Sequence, residues 1–173
     1  RIRMSKILIT GGAGFIGSNI ALKLIKKGYY VTVLDSLSEQ IHGTNPKQTS
    51  PLYQSIADKV NFIKGDVCNR ADWEQALKDI DYVIHLAAET GTGQSMYEIK
   101  KYVDTNISGT ALLLDILTNT KHNVKRVVVA ESRAIYGEGK YLCSKCGEVY
   151  PMERKDEDMA KGDFECKCPK CGD

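Results

Sequence analysis

Lys6-Ile7-Leu8-Ile9-Thr10-Gly11-Gly12-Ala13-Gly14-Phe15-Ile16-Gly17 is the stretch that decides how this chain folds. An apolar-rich run of strand character ends at Thr10, and helical spacing begins at once through Ile16, Ile20, Leu24 and Ile25. The glycines occupy the turn between them. Gly11 permits the tight turn, Gly14 lets the backbone approach a pyrophosphate, and Gly17 lets helix and strand pack closely. The helix then presents free N–H groups and the positive end of its dipole to phosphate oxygens. Asp35 ends the next apolar run, Tyr30-Val31-Thr32-Val33-Leu34, 18 residues beyond Gly17. An acid there accepts hydrogen bonds from the adenosine ribose. It would repel a 2′-phosphate, and Ser36-Leu37-Ser38 offers no arginine to neutralise one, so NAD is expected rather than NADP.

The same alternation continues outward from this turn. Val60 to Ile63, Tyr82 to Leu86 and Val127 to Ala130 read as further strands. Arg70 to Lys78 reads as a short helix, and Met96 to Thr118 as a long one with Ile99, Val103, Ile107, Leu114 and Leu117 along one side. Ser36 to Tyr53 is polar and carries Gly43, Pro46 and Pro51, which predicts a loop. Continuous Val/Ile/Leu strands alternating with helices predict an α/β fold: an open parallel sheet with helices on both faces. Cys68 has no cysteine near it and reads as a small buried hydrophobe.

Length and composition bound the rest. The chain has 173 residues, 42% hydrophobic and 27% charged, which is enough apolar material for a packed core and excludes global disorder. Lys and Arg number 24 against 22 Asp and Glu, so charge gives no case for a nucleic-acid or membrane-surface binder. No apolar run approaches the ~20 residues of a membrane helix. The start, Arg1-Ile2-Arg3-Met4, has no secretion-signal character, so a cytoplasmic protein is expected, with Met4 its natural start behind three vector-derived residues.

Beyond Tyr136 the chain changes character. The boundary is set near Glu138, giving a domain over 4–137 and a second over 138–173 with little periodicity and five of the six cysteines. Cys143-Ser144-Lys145-Cys146-Gly147 and Cys168-Pro169-Lys170-Cys171-Gly172 are paired Cys-x-x-Cys knuckles. Cys143, Cys146, Cys168 and Cys171 supply the four thiolates that suit tetrahedral zinc, predicting a small C-terminal zinc ribbon. An iron-sulfur cluster and disulfides are the alternative chemistries. Cys166, two residues from Cys168, is a rival ligand, disfavoured because the Cys-Pro-x-Cys-Gly turn has the better geometry. The acids Glu148, Glu153, Asp156, Glu157, Asp158, Asp163 and Glu165 offset the lysines, arguing for a structural rather than a nucleic-acid-binding ribbon.

Five ordered segments resemble the extended short-chain dehydrogenases, specifically the NAD-dependent nucleotide-sugar epimerases and dehydratases, a Rossmann-type fold. They are Thr10 to Ser18, Gly65-Asp66-Val67, His85-Leu86-Ala87-Ala88, Asn106 to Thr110 and Ser132 to Gly137. A cysteine-rich insertion after Tyr136-Gly137 is similar to that of members resembling deoxythymidine-diphosphate-rhamnose 4-epimerase. The resemblance implies that Phe15 and Ile16 belong to the cofactor loop and that Asp66 and Val67 contact the adenine. It implies that Leu86, Ala87 and Ala88 line the cofactor with Thr90 facing the sugar, and that Asn106 lies near the active site. It gives Ser132 the catalytic Ser/Thr role of hydrogen-bonding the reacting hydroxyl. His85 reads as a satisfied strand-end residue, not a catalyst.

The family's tyrosine–lysine pair, four residues apart on a helix, has no credible counterpart. Tyr136 with Lys140 encloses two glycines, and Tyr141 with Lys145 straddles Cys143. The chain is therefore expected to be an N-terminal, catalytically incomplete part of a nucleotide-sugar epimerase or dehydratase. As the full-length enzyme it would take a nucleotide-sugar substrate, with transient hydride transfer at the sugar, and form a homodimer. Without the tyrosine helix, the Ile99, Val103, Ile107 stripe is expected to be partly uncovered. The alternative is a non-catalytic NAD-binding module whose zinc ribbon docks a protein partner.

Overall fold

The computed structural model describes residues 4–172. Arg1, Ile2 and Arg3, expected to precede the natural start, and Asp173, at the end of the expected cysteine domain, lie outside the described residues. The chain forms two compact units, Arg1–Ala130 and Glu131–Asp173.

In the first unit, β1 (Lys6–Thr10), β2 (Tyr30–Asp35), β3 (Asn61–Lys64), β4 (Tyr82–His85) and β5 (Arg126–Val129) form one sheet in the order β3-β2-β1-β4-β5. Every pairing is parallel. Alternate residues of each strand face opposite cores. Leu8, Leu34 and Val83 join Trp73, Ile80, Leu113 and Ile116 on one face, while Ile7, Ile9, Val31 and Val33 meet Ala21 and Ile56 on the other. The first core lies under α5 (Arg70–Ala76) and α8 (Gly109–Asn119); the second lies under α1 (Phe15–Lys26) and α4 (Pro51–Ile56). The strand order reverses beside β1, between β2 and β4, so the carboxyl ends of β1 and β4 bound the crevice where such sheets bind ligands.

Two expectations need correction. The segment from Ser36 to Tyr53, predicted as a loop, contains α2 (Glu39–His42), α3 (Pro46–Thr49) and the start of α4. Pro46 and Pro51 each stand in the first turn, where a missing N–H costs nothing, and the Ser50 hydroxyl caps α4 by accepting from the Tyr53 N–H. Single turns are too short to show a 3.6-residue period. The long helix predicted from Met96 is also not uniform. After α6 (Thr92–Ser95), α7 (Ile99–Tyr102) passes into a π-helical turn, Val103–Ser108, before α8 begins. The widened turn shifts the helical phase, so the predicted stripe does not stay on one side. Leu117 packs on the core, whereas Ile99, Val103 and Ile107, expected to be uncovered, are exposed together with Leu114.

In the second unit, a turn of 3₁₀ helix, Arg133–Tyr136, precedes an antiparallel hairpin of β6 (Tyr141–Cys143) and β7 (Gly147–Val149), then α9 (Asp156–Met159). Among the described residues, no helix is long and apolar enough to cross a membrane.

Candidate cofactor site and cysteine centre

The turn after β1 is closed by backbone. The Gly11 N–H donates to the Leu34 carbonyl at 2.9 Å, and the Gly14 N–H to the Gly11 carbonyl at 3.2 Å. A Cβ on Gly17 would lie 2.4 Å from the Gly11 oxygen and 2.6 Å from the Gly12 Cα, so only glycine lets α1 leave the turn at this angle. Gly11 has φ +65°, and a Cβ there would strike the Ala87 nitrogen at 2.8 Å, where the β4 segment crosses beneath the turn. Gly14 caps α1 with no side-chain hydrogen bond, and no acid stands in the first turn. Such an end has unpaired N–H groups directed at an incoming anion. Phe15 and Ile16 are exposed beside it.

Asp35, 9% exposed, closes the β2 side of this turn. Its Oδ2 accepts from the Ala13 N–H at 2.9 Å, and its Oδ1 from the Leu37 N–H at 2.8 Å. Asp66 lies exposed beyond β3, with Oδ1 accepting from the Cys68 N–H at 2.8 Å. The Val67 side chain is buried in the core, and its carbonyl accepts from the Trp73 indole at 2.7 Å. Cys68 is exposed, not buried as expected: the Asp66-Val67 turn sends Val67 inward and Cys68 out. Partial desolvation of its sulfur and the hydrogen bond to Asp66 push its thiol pKa up, which makes it a poor nucleophile.

A hydrogen-bond chain ties the β1 and β4 ends to the π turn. The Thr10 hydroxyl oxygen accepts from the Leu86 and Ala87 N–H groups, both at 3.2 Å. Its own proton therefore goes to His85 Nδ1, 2.6 Å away. The ring proton then sits on Nε2 and is donated to Thr110 Oγ1 at 3.0 Å, and Thr110 donates to the Asn106 carbonyl at 2.8 Å. The Asn106 amide pairs with both backbone groups of Glu89, accepting from its N–H at 2.8 Å and donating to its carbonyl at 3.0 Å. Leu86, Ala87 and Ala88, with Thr90 just beyond, are thereby held between two fixed points. Thr10 and Thr110 escaped the sequence reading because their partners lie 75 and 25 residues away.

Burial lowers the pKa of His85 below its usual 6.5. The unfolded chain then takes up the proton first. The stability tied to the neutral ring is full above about pH 6.5 and is lost as the pH falls from there toward the folded-state pKa. Urea titrations at pH 7.5 and 5.5 should show a larger loss of stability for the wild type than for His85→Gln; equal losses would remove His85 from this role.

In the second unit, Ser132 accepts from the Ala134 N–H at 3.2 Å, capping the 3₁₀ turn. The sulfur atoms of Cys143, Cys146, Cys168 and Cys171 all lie within 4.8 Å of one another, with Cys143 and Cys171 at 3.6 Å. A tetrahedron of thiolates at ~2.3 Å from an ion has edges of about 3.8 Å. The Lys170 N–H donates to the Cys168 sulfur and holds its pKa down to about 6, while the hydrogen bond to Cys171 pushes Cys146 up to about 12. Cys166 faces elsewhere: its sulfur is 3.2 Å from Glu138 Oε2 and 3.4 Å from Arg154, which itself pairs with Glu138 at 3.0 Å. Tyr141 hydrogen-bonds Cys166, and this raises its phenol pKa, the opposite of what a catalytic phenolate needs.

The parallel sheet, the glycine turn at its reversal point and the acid ending β2 define a dinucleotide-binding, doubly wound domain. Residues 7–156 match the model of the NAD dependent epimerase/dehydratase family, and the chain belongs to that family. It is 36% identical to the dTDP-L-rhamnose 4-epimerase of Burkholderia thailandensis over 151 residues, which are 86% of this chain and 40% of the relative. Among solved structures it resembles the UDP-glucuronic acid 4-epimerase of Bacillus cereus, in complex with UDP-glucuronic acid and NAD. The TM-score is 0.66 and the identity 33%, over 81% of this chain and 44% of that one. The UDP-glucose 4-epimerase of Bifidobacterium longum, with NAD+ and UDP, gives 0.64 and 30%, over 86% and 42%. The chain thus spans about two fifths of these relatives.

Proposed function

We propose that this chain is the NAD-binding portion of a cytoplasmic nucleotide-sugar epimerase or dehydratase, catalytically incomplete by itself and homodimeric as the full-length enzyme. The observation that carries the reading is the convergence at one sheet edge of an uncapped α1 N-terminus, a glycine turn with no room for a side chain, and the half-engaged carboxylate of Asp35. This donor and acceptor set fits a dinucleotide. The N–H groups at Phe15, Ile16 and Gly17 take the pyrophosphate, Gly14 lets the backbone come close to it, and Gly11 keeps the turn close to β4. Asp35 accepts from the adenosine ribose, and the Asp66 carboxylate and Val67 backbone flank the adenine. Leu86, Ala87 and Ala88 line the inner ribose, with Asn106 holding that segment against the π turn. NAD, when bound, supplies the hydride acceptor and donor for the sugar carbon. Ser132 hydrogen-bonds the reacting hydroxyl in the complete enzyme, whose tyrosine and lysine lie outside this chain. Rhamnose-type nucleotide sugars are the substrate class suggested by the Burkholderia relative.

The proposed domains are 4–137 for the cofactor, seven residues beyond the division between the two compact units at Ala130, and 138–173 for a ribbon in which Cys143, Cys146, Cys168 and Cys171 hold structural zinc. The spacing of the four sulfurs supports this assignment.

Calorimetric titration of the purified chain tests the cofactor reading. NAD should bind saturably and at least tenfold more tightly than NADP. Asp35→Ala should weaken NAD by roughly 10- to 100-fold, the loss of hydrogen bonds to a charged acceptor. Absence of saturable NAD binding by the folded chain, or sustained epimerisation by the chain alone, would overturn the respective halves of the proposal.

A further inference from the structure

His42 and Ser50 stand in a surface connection, yet each is only 3% exposed. Buried polar side chains persist where their hydrogen bonds are made, and these two make them largely with each other. His42 Nδ1 is 2.8 Å from Ser50 Oγ. That oxygen accepts the Tyr53 N–H at 3.3 Å as the cap of α4, and in the tautomer assigned to His42 the Ser50 hydroxyl donates to Nδ1. The His42 ring proton is then on Nε2, and Nε2 lies 3.9 Å from Asp35 Oδ1. Hydrogen bonds join the α4 cap to the imidazole, and the imidazole Nε2 faces the carboxylate at 3.9 Å, an electrostatic contact longer than a hydrogen bond.

The chain bends out of its way to build this. Leu37 has φ +55°, a left-handed conformation that costs a branched side chain about 1–2 kcal/mol, and its N–H donates to Asp35 Oδ1 at 2.8 Å. Oδ1 therefore has Leu37 on one side and His42 next to it, and Oδ2 has Ala13. A carboxylate so surrounded presents its remaining lone pairs in one direction only.

We infer that His42 is a positioning residue that sets Asp35 for the adenosine ribose diol and so governs discrimination at the 2′ position. The inference rests on the NAD reading given above. His42 touches no cofactor; it acts through the carboxylate, and Ser50 orients it.

The test uses the whole chain and titrates NAD and 2′-deoxy-NAD. His42→Leu keeps the volume and removes the donor. It should weaken NAD about tenfold, leave 2′-deoxy-NAD within about twofold, and so collapse the ratio between them. His42→Gln, which retains an N–H donor, should restore most of the ratio. In an Asp35→Asn background, His42→Leu should have no further effect. Equal weakening of both nucleotides, or the same loss with and without Asp35, would make His42 merely structural and overturn the inference. An unchanged ratio in His42→Leu would do the same. If the wild type binds neither nucleotide, the NAD reading falls together with this one, whereas wild-type binding with an unaffected variant removes this one alone.

Discussion

Gly17→Ala should lower NAD affinity by more than a hundredfold and reduce the melting temperature by about 5–10 °C, whereas Gly93→Ala should change neither appreciably. The added methyl at position 17 would stand 2.4 Å from one backbone atom and 2.6 Å from another, both within the turn proposed to carry the pyrophosphate donors. Backbone cannot rotate away as a flexible side chain can, so α1 must move off β1. That displacement costs about 1–3 kcal/mol, as inserting a methylene into a packed core does. It also moves every N–H proposed to meet the phosphates, and a misplacement near 1 Å costs about a hundredfold in geometry-dependent sites. Gly93, in α6, has nothing within 4 Å of its added Cβ and no left-handed φ, so it controls for composition alone. Calorimetry and thermal melts read both effects. Gly17→Ala binding NAD within threefold of wild type would show that close packing of α1 is not what the glycine provides.

This contrast also shows which parts of the fold were legible in sequence. The glycine turn is a local device: strand, turn and helix touch within a dozen residues, so spacing alone predicts the contacts. The sheet is nearly as local, because runs such as Val31 to Leu34 are buried on both faces and read as continuous strands. The Asp35 support was not legible. His42 lies in a polar, proline-punctuated stretch where three single helical turns have no period to detect, and its burial depends on a partner eight residues ahead. The π turn was hidden for a related reason. A widened turn keeps the apolar residues in sequence and moves them around the axis, so Ile107 and Leu117 share a predicted side and occupy different ones.

His85 and Asn106 stand between these cases. Their motifs marked them, but what they hold was set by tertiary contacts: a threonine on β1 and another at the start of α8. The resulting chain of donors and acceptors runs through the segment proposed to line the cofactor, which explains why a buried histidine is tolerated at a strand end. All its protons are placed without charging the ring.

The purified chain should contain about one zinc per molecule, and removing it should unfold the ribbon proposed over 138–173 while leaving the sheet of the first unit intact. The argument is one of burial. Among the described residues of the second unit, only Val149 and Cys168 are buried apolar side chains. Burial on that scale does not offset the conformational entropy of ordering the unit. A structural zinc ion contributes about 10–16 kcal/mol to a small domain with no core of its own. Elemental analysis should therefore show stoichiometric zinc, lost in Cys143→Ser and in Cys168→Ser. Cys166→Ser should keep it, because that sulfur faces Glu138 and Arg154 instead of the cluster. Two-dimensional amide spectra before and after chelation should lose the dispersed peaks of the ribbon alone. Sub-stoichiometric metal with those peaks still dispersed would remove the ion from the fold. Retention of zinc in Cys168→Ser with loss in Cys166→Ser would hand the fourth ligand position to Cys166.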